Sequence, residues 1–282
     1  MKNQQTIANS IKIEGIALHS GKKVTMNILP QPVDSGILFS RIDLPGQPVI
    51  KVGINTVVSC NRSTSIGIDD WHISTIEHLM AVFHGLGIDN GLIEVNGDEL
   101  PAGDGSSLFF CQLILNTGLQ IQEKPRNYKK IDTPIYVKKK IASHNQTSIA
   151  TMVILPSPNL LVSCMFTSPH PVCKAQYYHY SHTSSKKFIS EIAPARTIAF
   201  WEEIELLRSR GLALSNDPDC AVIVDDDGYK NEFRFQDEIV RHKILDIIGD
   251  LYLGGVQILG HVIATQSGHQ LNFELVKQIF KE

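Results

Sequence analysis

The stretch Ser74-Thr75-Ile76-Glu77-His78-Leu79-Met80-Ala81-Val82-Phe83-His84-Gly85-Leu86-Gly87 changes the period of its apolar residues. Ile76, Leu79, Met80, Phe83 and Leu86 fall at helical spacing, and Gly87 stands where a helix would stop. Before it the spacing is that of strands: Val24 to Leu29 alternates ahead of Pro30-Gln31-Pro32, and Gly36 to Ser40 reads as the next strand. After it come a strand, Leu92-Ile93-Glu94-Val95, a glycine-rich turn, Pro101 to Ser106, and a second helix, Leu108 to Leu115, closing near Gly118.

The charged segment Gln122 to Lys130 contains Pro125, has no apolar period and reads as a linker. Beyond it strands return at Ile135 to Val137, Ser148 to Leu155 and Leu160 to Phe166. Helical spacing reappears over Phe200 to Arg210 and over Asp237 to Leu253, then a strand, Val262 to Thr265, precedes a short C-terminal helix. Both halves therefore run from strands to helices with a strand between or after them. The expected fold class is α+β: two similar domains, 1–123 and 128–282, each a small mixed sheet packed against helices.

Hydrophobic residues make up 43% and charged residues 20%, which excludes a disordered chain. A net charge of −3 offers no basic field for a phosphate backbone, so no nucleic-acid partner is expected. No apolar run is long enough to span a bilayer, and the polar N-terminus lacks a signal peptide's apolar core. Cys60, Cys111, Cys164, Cys173 and Cys220 show neither metal nor disulfide-scaffold spacing. Reduced thiols in a cytoplasmic monomer, with no obligate protein partner, are the expectation.

Three segments hold the groups a hydrolytic metal site needs. In Ser74-Thr75-Ile76-Glu77-His78 a carboxylate and an imidazole are adjacent at a helix start, although Ser74 and Glu77 also fit a capping box. In Arg241-His242-Lys243-Ile244-Leu245-Asp246-Ile247-Ile248-Gly249-Asp250, His242, Asp246 and Asp250 step round the helix by about 40° each and form one polar stripe. The stripe suits a divalent cation, and equally a solvated face. In Ser267-Gly268-His269 a histidine stands on a glycine turn, where exposure is the ordinary fate. His78, His242 and Asp246 together make a mixed nitrogen and oxygen set that fits zinc. Glu77 is then an unligated base and His269 a second acid or base. Neither H-E-x-x-H nor a P-loop nor G-x-G-x-x-G occurs.

Segments along nearly the whole chain resemble the UDP-3-O-acyl-N-acetylglucosamine deacetylases. They are Gly15 to Lys22, Ser74 to Leu79, Gly85 to Asn90, Asp104-Gly105-Ser106, Ala195-Arg196-Thr197, Val240 to Leu251 and Ser267 to Asn272. The resemblance implies a metal-dependent deacetylase acting on a linear amide, with its active site between two domains of similar topology. The reaction would release acetate from UDP-3-O-(3-hydroxyacyl)-N-acetylglucosamine, the committed step of lipid A biosynthesis. It implies one Zn²⁺, with Fe²⁺ the alternative in the cell, on His78, His242 and Asp246. Glu77 would be the general base, His269 the general acid, Asp250 its partner, Thr197 the oxyanion donor and Lys243 an assisting cation.

The resemblance also implies an apolar passage for the acyl chain, at Ile198, Ala199, Phe200, Trp201 and Ile204 with Leu18 from the other domain. Trp201 is bulkier than the family pattern, Ser215-Asn216-Asp217-Pro218 replaces a glycine-rich loop, and Pro101-Ala102-Gly103 stands where apolar residues are usual. Thr167 to His182 matches poorly and lends no uridine-binding residue. Two other readings compete: a metal amidase on a different N-acyl sugar, and a catalytically silent binding relative.

Overall fold

The computed structural model describes residues 2–281 except 144–145, 203, 205–208 and 210–217. The helical spacing over Phe200 to Arg210 and the residues Ser215 to Asp217 thus lie largely outside the described residues. Two five-stranded sheets dominate. The first contains β1 (Ile11–Ile16), β2 (Lys23–Pro30), β3 (Ile37–Arg41), β4 (Val49–Lys51) and β5 (Gly91–Val95), in the order β1-β2-β5-β3-β4. The second contains β6 (Ile135–Ser143), β7 (Gln146–Leu155), β8 (Leu161–Phe166), β9 (Gln176–Ser181) and β10 (His261–Thr265), in the order β6-β7-β10-β8-β9.

The two orders are the same, and so are the pairings. In each sheet only the strand added last, β5 or β10, has a parallel neighbour, β3 or β8; every other pair is antiparallel. The helices repeat too. A helix precedes the last strand, α1 (Glu77–Leu86) or α4 (Glu238–Leu251), and another follows it, α2 (Leu108–Thr117) or α5 (His269–Ile279). Between the fourth strand and its helix each half carries an insert. The first is a small antiparallel sheet, Val57–Ser59, Ser65–Ile68 and Trp71–Ile73. The second comprises α3 (Ser185–Glu191) and a sheet of Thr197–Phe200, Ala221–Asp225 and Gly228–Tyr229.

α1 and α4 pack on each other, and the apolar residues of both halves form one continuous buried cluster that includes Phe39, Met80, Phe83, Val162, Leu245, Ile248 and Tyr252. Each such side chain, fully buried, contributes about 1.5–3 kcal/mol of transfer free energy. α1 stops where the sequence says it should. Gly87 adopts a φ of 77°, and its N–H and that of Ile88 fold back onto the carbonyls of His84 and Phe83.

The segment expected as a linker is strand over most of its length. Leu119–Pro125 is a strand antiparallel to Asn3–Ile7, and Tyr128–Lys130 runs parallel to Gln257–Leu259. Between them Arg126 is buried, its guanidinium 2.7 Å from the Asp89 carboxylate. The segment lacks an apolar period because backbone pairing and polar side chains such as Gln122 and Arg126, rather than apolar packing, tie it to the fold. No helix among the described residues is long and apolar enough to cross a membrane.

Candidate metal centre and active site

α1 begins at Glu77, later than a capping box would place it. Thr75 is in the left-handed region at φ 60°, an uncommon state for a β-branched residue, and its hydroxyl donates to Glu99 at 3.2 Å. That turn parts Ser74 from Glu77. The Ser74 hydroxyl is bonded to Ser65, while the Glu77 carboxylate accepts the Thr64 N–H at 3.0 Å. Glu77 is therefore no helix cap. It is buried, pointing between the two halves.

The polar stripe of α4 is buried as well: His242, Asp246 and Asp250 are all less than 3% exposed, which excludes a solvated face. One helix thus presents three polar side chains to the first turn of another. The close approach depends on Gly249, since a Cβ there would lie 2.1 Å from the Glu77 carbonyl oxygen.

His78, His242 and Asp246 bring one ligand atom each within 4.8 Å of one another. His242 Nε2 lies 3.3 Å and His78 Nε2 4.0 Å from Asp246 Oδ1. His242 Nδ1 is 3.0 Å from the Ala195 carbonyl, an acceptor only, so this nitrogen carries the hydrogen and Nε2 presents a lone pair. Asp246 Oδ1 is buried and accepts no hydrogen bond from any described residue. A lone pair facing an orphaned carboxylate oxygen, with no proton between them, is the arrangement a divalent cation satisfies. Charge states agree. Burial pushes the His78 pKa down to about 3, leaving a neutral imidazole. Burial opposes the Asp246 charge, but its neighbours, the Lys243 ammonium among them, hold this carboxyl well below its usual range.

On the other side of Glu77 stands His269, the first residue of α5. Its side chain is only 10% exposed, because Asp250 draws it inward: Nδ1 lies 2.8 Å from Asp250 Oδ2, and Nε2 is 3.9 Å from Glu77 Oε1. Burial disfavours the imidazolium, yet Asp250, Asp246 and Glu77 overcome this and raise the His269 pKa to about 10. Burial also lifts Glu77, against the pull of His269, to about 7. A carboxylate and an imidazolium with separated pKa values face each other beside the three candidate ligands, the pattern of a paired base and acid.

The remaining expected residues are less central. Lys243 donates to the second oxygen of Asp246 at 2.9 Å; this partner outweighs burial and keeps the ammonium charged. Thr197 opens the insert strand and ties its N–H to the Gly105 carbonyl. Ile198 and Phe200 pack partly against the core, and Leu18, Ala199, Trp201 and Ile204 are half-buried.

Sequence reasoning missed three supports. Thr64 gives its N–H to Glu77 and its hydroxyl, at 2.6 Å, to Asp250, linking the two carboxylates through one residue. Asn272 donates to Asp250 at 2.8 Å. Glu238, fully buried in the first turn of α4, accepts from the N–H and guanidinium of Arg196 at 3.0 and 2.9 Å. That pair fixes the segment whose Ala195 carbonyl orients His242. Arg196 lies in a matched stretch, but Glu238 carries no signal beyond its place one turn before His242.

Comparison with known proteins agrees with this arrangement. The family model for UDP-3-O-acyl N-acetylglycosamine deacetylase matches residues 4–281. The UDP-3-O-acyl-N-acetylglucosamine deacetylase of Citrifermentans bemidjiense is 41% identical over 280 residues, covering 99% of this chain and 89% of its own length. Its namesake from Saccharophagus degradans is 40% identical over 287 residues (99% and 91%), and that from Teredinibacter turnerae 39% over 284 (100% and 91%). With a family match over nearly its full length and relatives well above 30% identity, the chain belongs to the UDP-3-O-acyl-N-acetylglucosamine deacetylase family.

Proposed function

We propose that this chain hydrolyses the N-acetyl amide of UDP-3-O-(3-hydroxyacyl)-N-acetylglucosamine, releasing acetate and the free amine in lipid A and lipopolysaccharide biosynthesis. The observation that carries the reading is the Glu77–His269 pair, 3.9 Å apart, beside His78, His242 and Asp246. Zn²⁺ is the ion we assign to those three ligands, with Fe²⁺ as the cellular alternative; when bound it supplies Lewis acidity towards water and the acyl oxygen.

The chain's own groups account for the proton movements. Glu77, held by the Thr64 N–H, takes a proton from the water that attacks the acetyl carbonyl carbon. The Thr197 hydroxyl stabilises the oxygen on which charge develops, and the Lys243 ammonium assists at the same side. As the C–N bond breaks, His269 gives its proton to the departing nitrogen, with Asp250 holding the ring and balancing its charge. The balance is one amide and one water in, one acetate and one amine out.

Phe200 and its neighbours Ile198, Ala199, Trp201 and Ile204, with Leu18 opposite, are assigned to the acyl chain. All the acid, base and ligand residues come from one chain, in keeping with a monomer, and cysteines that form no disulfide among the described residues are in keeping with a reducing, cytoplasmic setting. Acetate release from the acylated substrate and from its analogue without the fatty acyl group tests the reading. Turnover confined to the acylated compound supports it; equal turnover would favour an amidase of broader N-acyl-sugar range, and none at all a silent relative.

A further inference from the structure

About 10 Å along α1 from Glu77, taking 1.5 Å per residue, a second cavity of about 330 Å³ opens between the two halves of the chain. Its walls include Lys2, His84 and Arg126 on one side and Asn159, His182 and Ser185 on the other. It shares no residue with the metal centre, and its volume falls at the small end of the range for ligand sites.

His84 is the unusual group. It is 1% exposed, and neither ring nitrogen has a hydrogen-bond partner among the described residues. A buried imidazole left so costs stability, and native proteins rarely keep such a group without a use. Its main-chain carbonyl is satisfied by Gln257 and Gly87, so the unmet bonding is the ring's alone. The His182 ring lies 5.3 Å away, centroid to centroid. The Tyr180 hydroxyl is 2.9 Å from His182 Nδ1, and burial keeps that phenol protonated. The hydroxyl therefore donates, and His182 Nε2 carries a hydrogen of its own.

The charge of the cavity selects the ligand. No Asp or Glu lines it. Asp89 occupies Nε and Nη2 of Arg126, leaving Nη1 without a described hydrogen bond, and Lys2 has no described ion pair. A metal cation would face two positive side chains with no carboxylate to hold it, whereas an oxyanion would meet donors from Lys2, Arg126, His84 and His182. We propose that this cavity binds a phosphate-class oxyanion, either free or as the phosphoryl group of a small molecule. Burial at present holds both histidines neutral, with His182 near 4. A bound dianion would draw protons onto them.

The test titrates the metal-loaded enzyme with inorganic phosphate and, separately, glucose 6-phosphate. Calorimetry gives the affinity, and ring ¹⁵N signals of the histidines report the site. His182→Leu removes a cavity donor at similar volume, and Lys2→Ala removes a cation at an exposed position outside the core. Binding that moves the His84 and His182 signals and weakens about tenfold or more in both variants supports the proposal. Acetate release without added anion should stay unchanged in both. A response to only one of the two probes identifies the source of the phosphoryl group. No binding at millimolar concentration, meaning ordered water only, or equal binding in both variants, meaning an ion at the metal centre or elsewhere, overturns it.

Discussion

The backbone of Glu77 rests directly on Gly249: any Cβ at that glycine would lie 2.1 Å from the Glu77 carbonyl oxygen. Glycine inside a helix costs about 1 kcal/mol relative to alanine, so its place in α4 needs a packing reason. Here the reason is that the helix carrying His242 and Asp246 must touch the helix carrying Glu77 and His78. Gly249→Ala should separate the two, lowering both the melting temperature and metal affinity. Calorimetry and metal titration check this, and a variant with wild-type values in both would show that the contact yields freely.

Metal content should depend on the three ligands individually. Asp246→Ala removes the orphaned Oδ1, and His78→Ala removes one nitrogen, so each purified variant should hold well under one equivalent of divalent cation and lose turnover. Elemental analysis beside an acetate-release assay measures both quantities. Full occupancy with normal turnover in the two variants would sink the ligand assignment.

The rate profile should be bell-shaped. Glu77 must be ionised, which gives an acidic limb at or below about 7, because a bound cation favours the carboxylate further. His269 must be protonated, which gives a basic limb at or below about 10. Asp250→Asn removes the main charge that raises His269, so the imidazolium loses its proton at lower pH and the basic limb moves towards acid. A basic limb that stays put would mean that another group, with Lys243 the first suspect, supplies the proton.

The acyl passage predicts a selective loss. Phe200→Ala should weaken the long-chain substrate by roughly tenfold or more, the worth of about 1.5–3 kcal/mol of apolar contact, and should leave an analogue without the chain almost untouched. Steady-state kinetics on the two compounds separates these outcomes. Equal losses would make Phe200 a packing residue.

Most elements were legible in the sequence because their periods are local. α1, α2 and α4 and the strands Lys23–Pro30, Gly91–Val95 and Leu161–Phe166 follow the apolar spacing closely. The duplication was visible only as a loose likeness, since the halves share strand order and pairing rather than side chains. Leu119–Pro125 escaped as a strand because most of its side chains are exposed, with Ile121 72% exposed. Ser74 and Glu77 have capping-box spacing, but the positive φ of Thr75 is invisible in the letters. The ligand stripe could be read from α4 itself. Its burial, and the inward turn of His269, arise from contacts between residues such as Thr64 and Asp250, which are 186 positions apart.

Glu77 is a base rather than a helix cap. Its raised pKa means that its ionisation costs stability: the penalty is absent below about 4.5, grows through about 7 and is full above it. Glu77→Gln keeps the size, and its amide oxygen can still accept the Thr64 N–H. The metal-free variant should therefore melt a few degrees above wild type at pH 8. The most direct measurement is kcat of metal-loaded Glu77→Gln, with metal counted in the same sample. The expected result is a full equivalent of metal and a kcat lower by roughly 10²–10⁴; near-normal kcat at full metal occupancy would contradict the account.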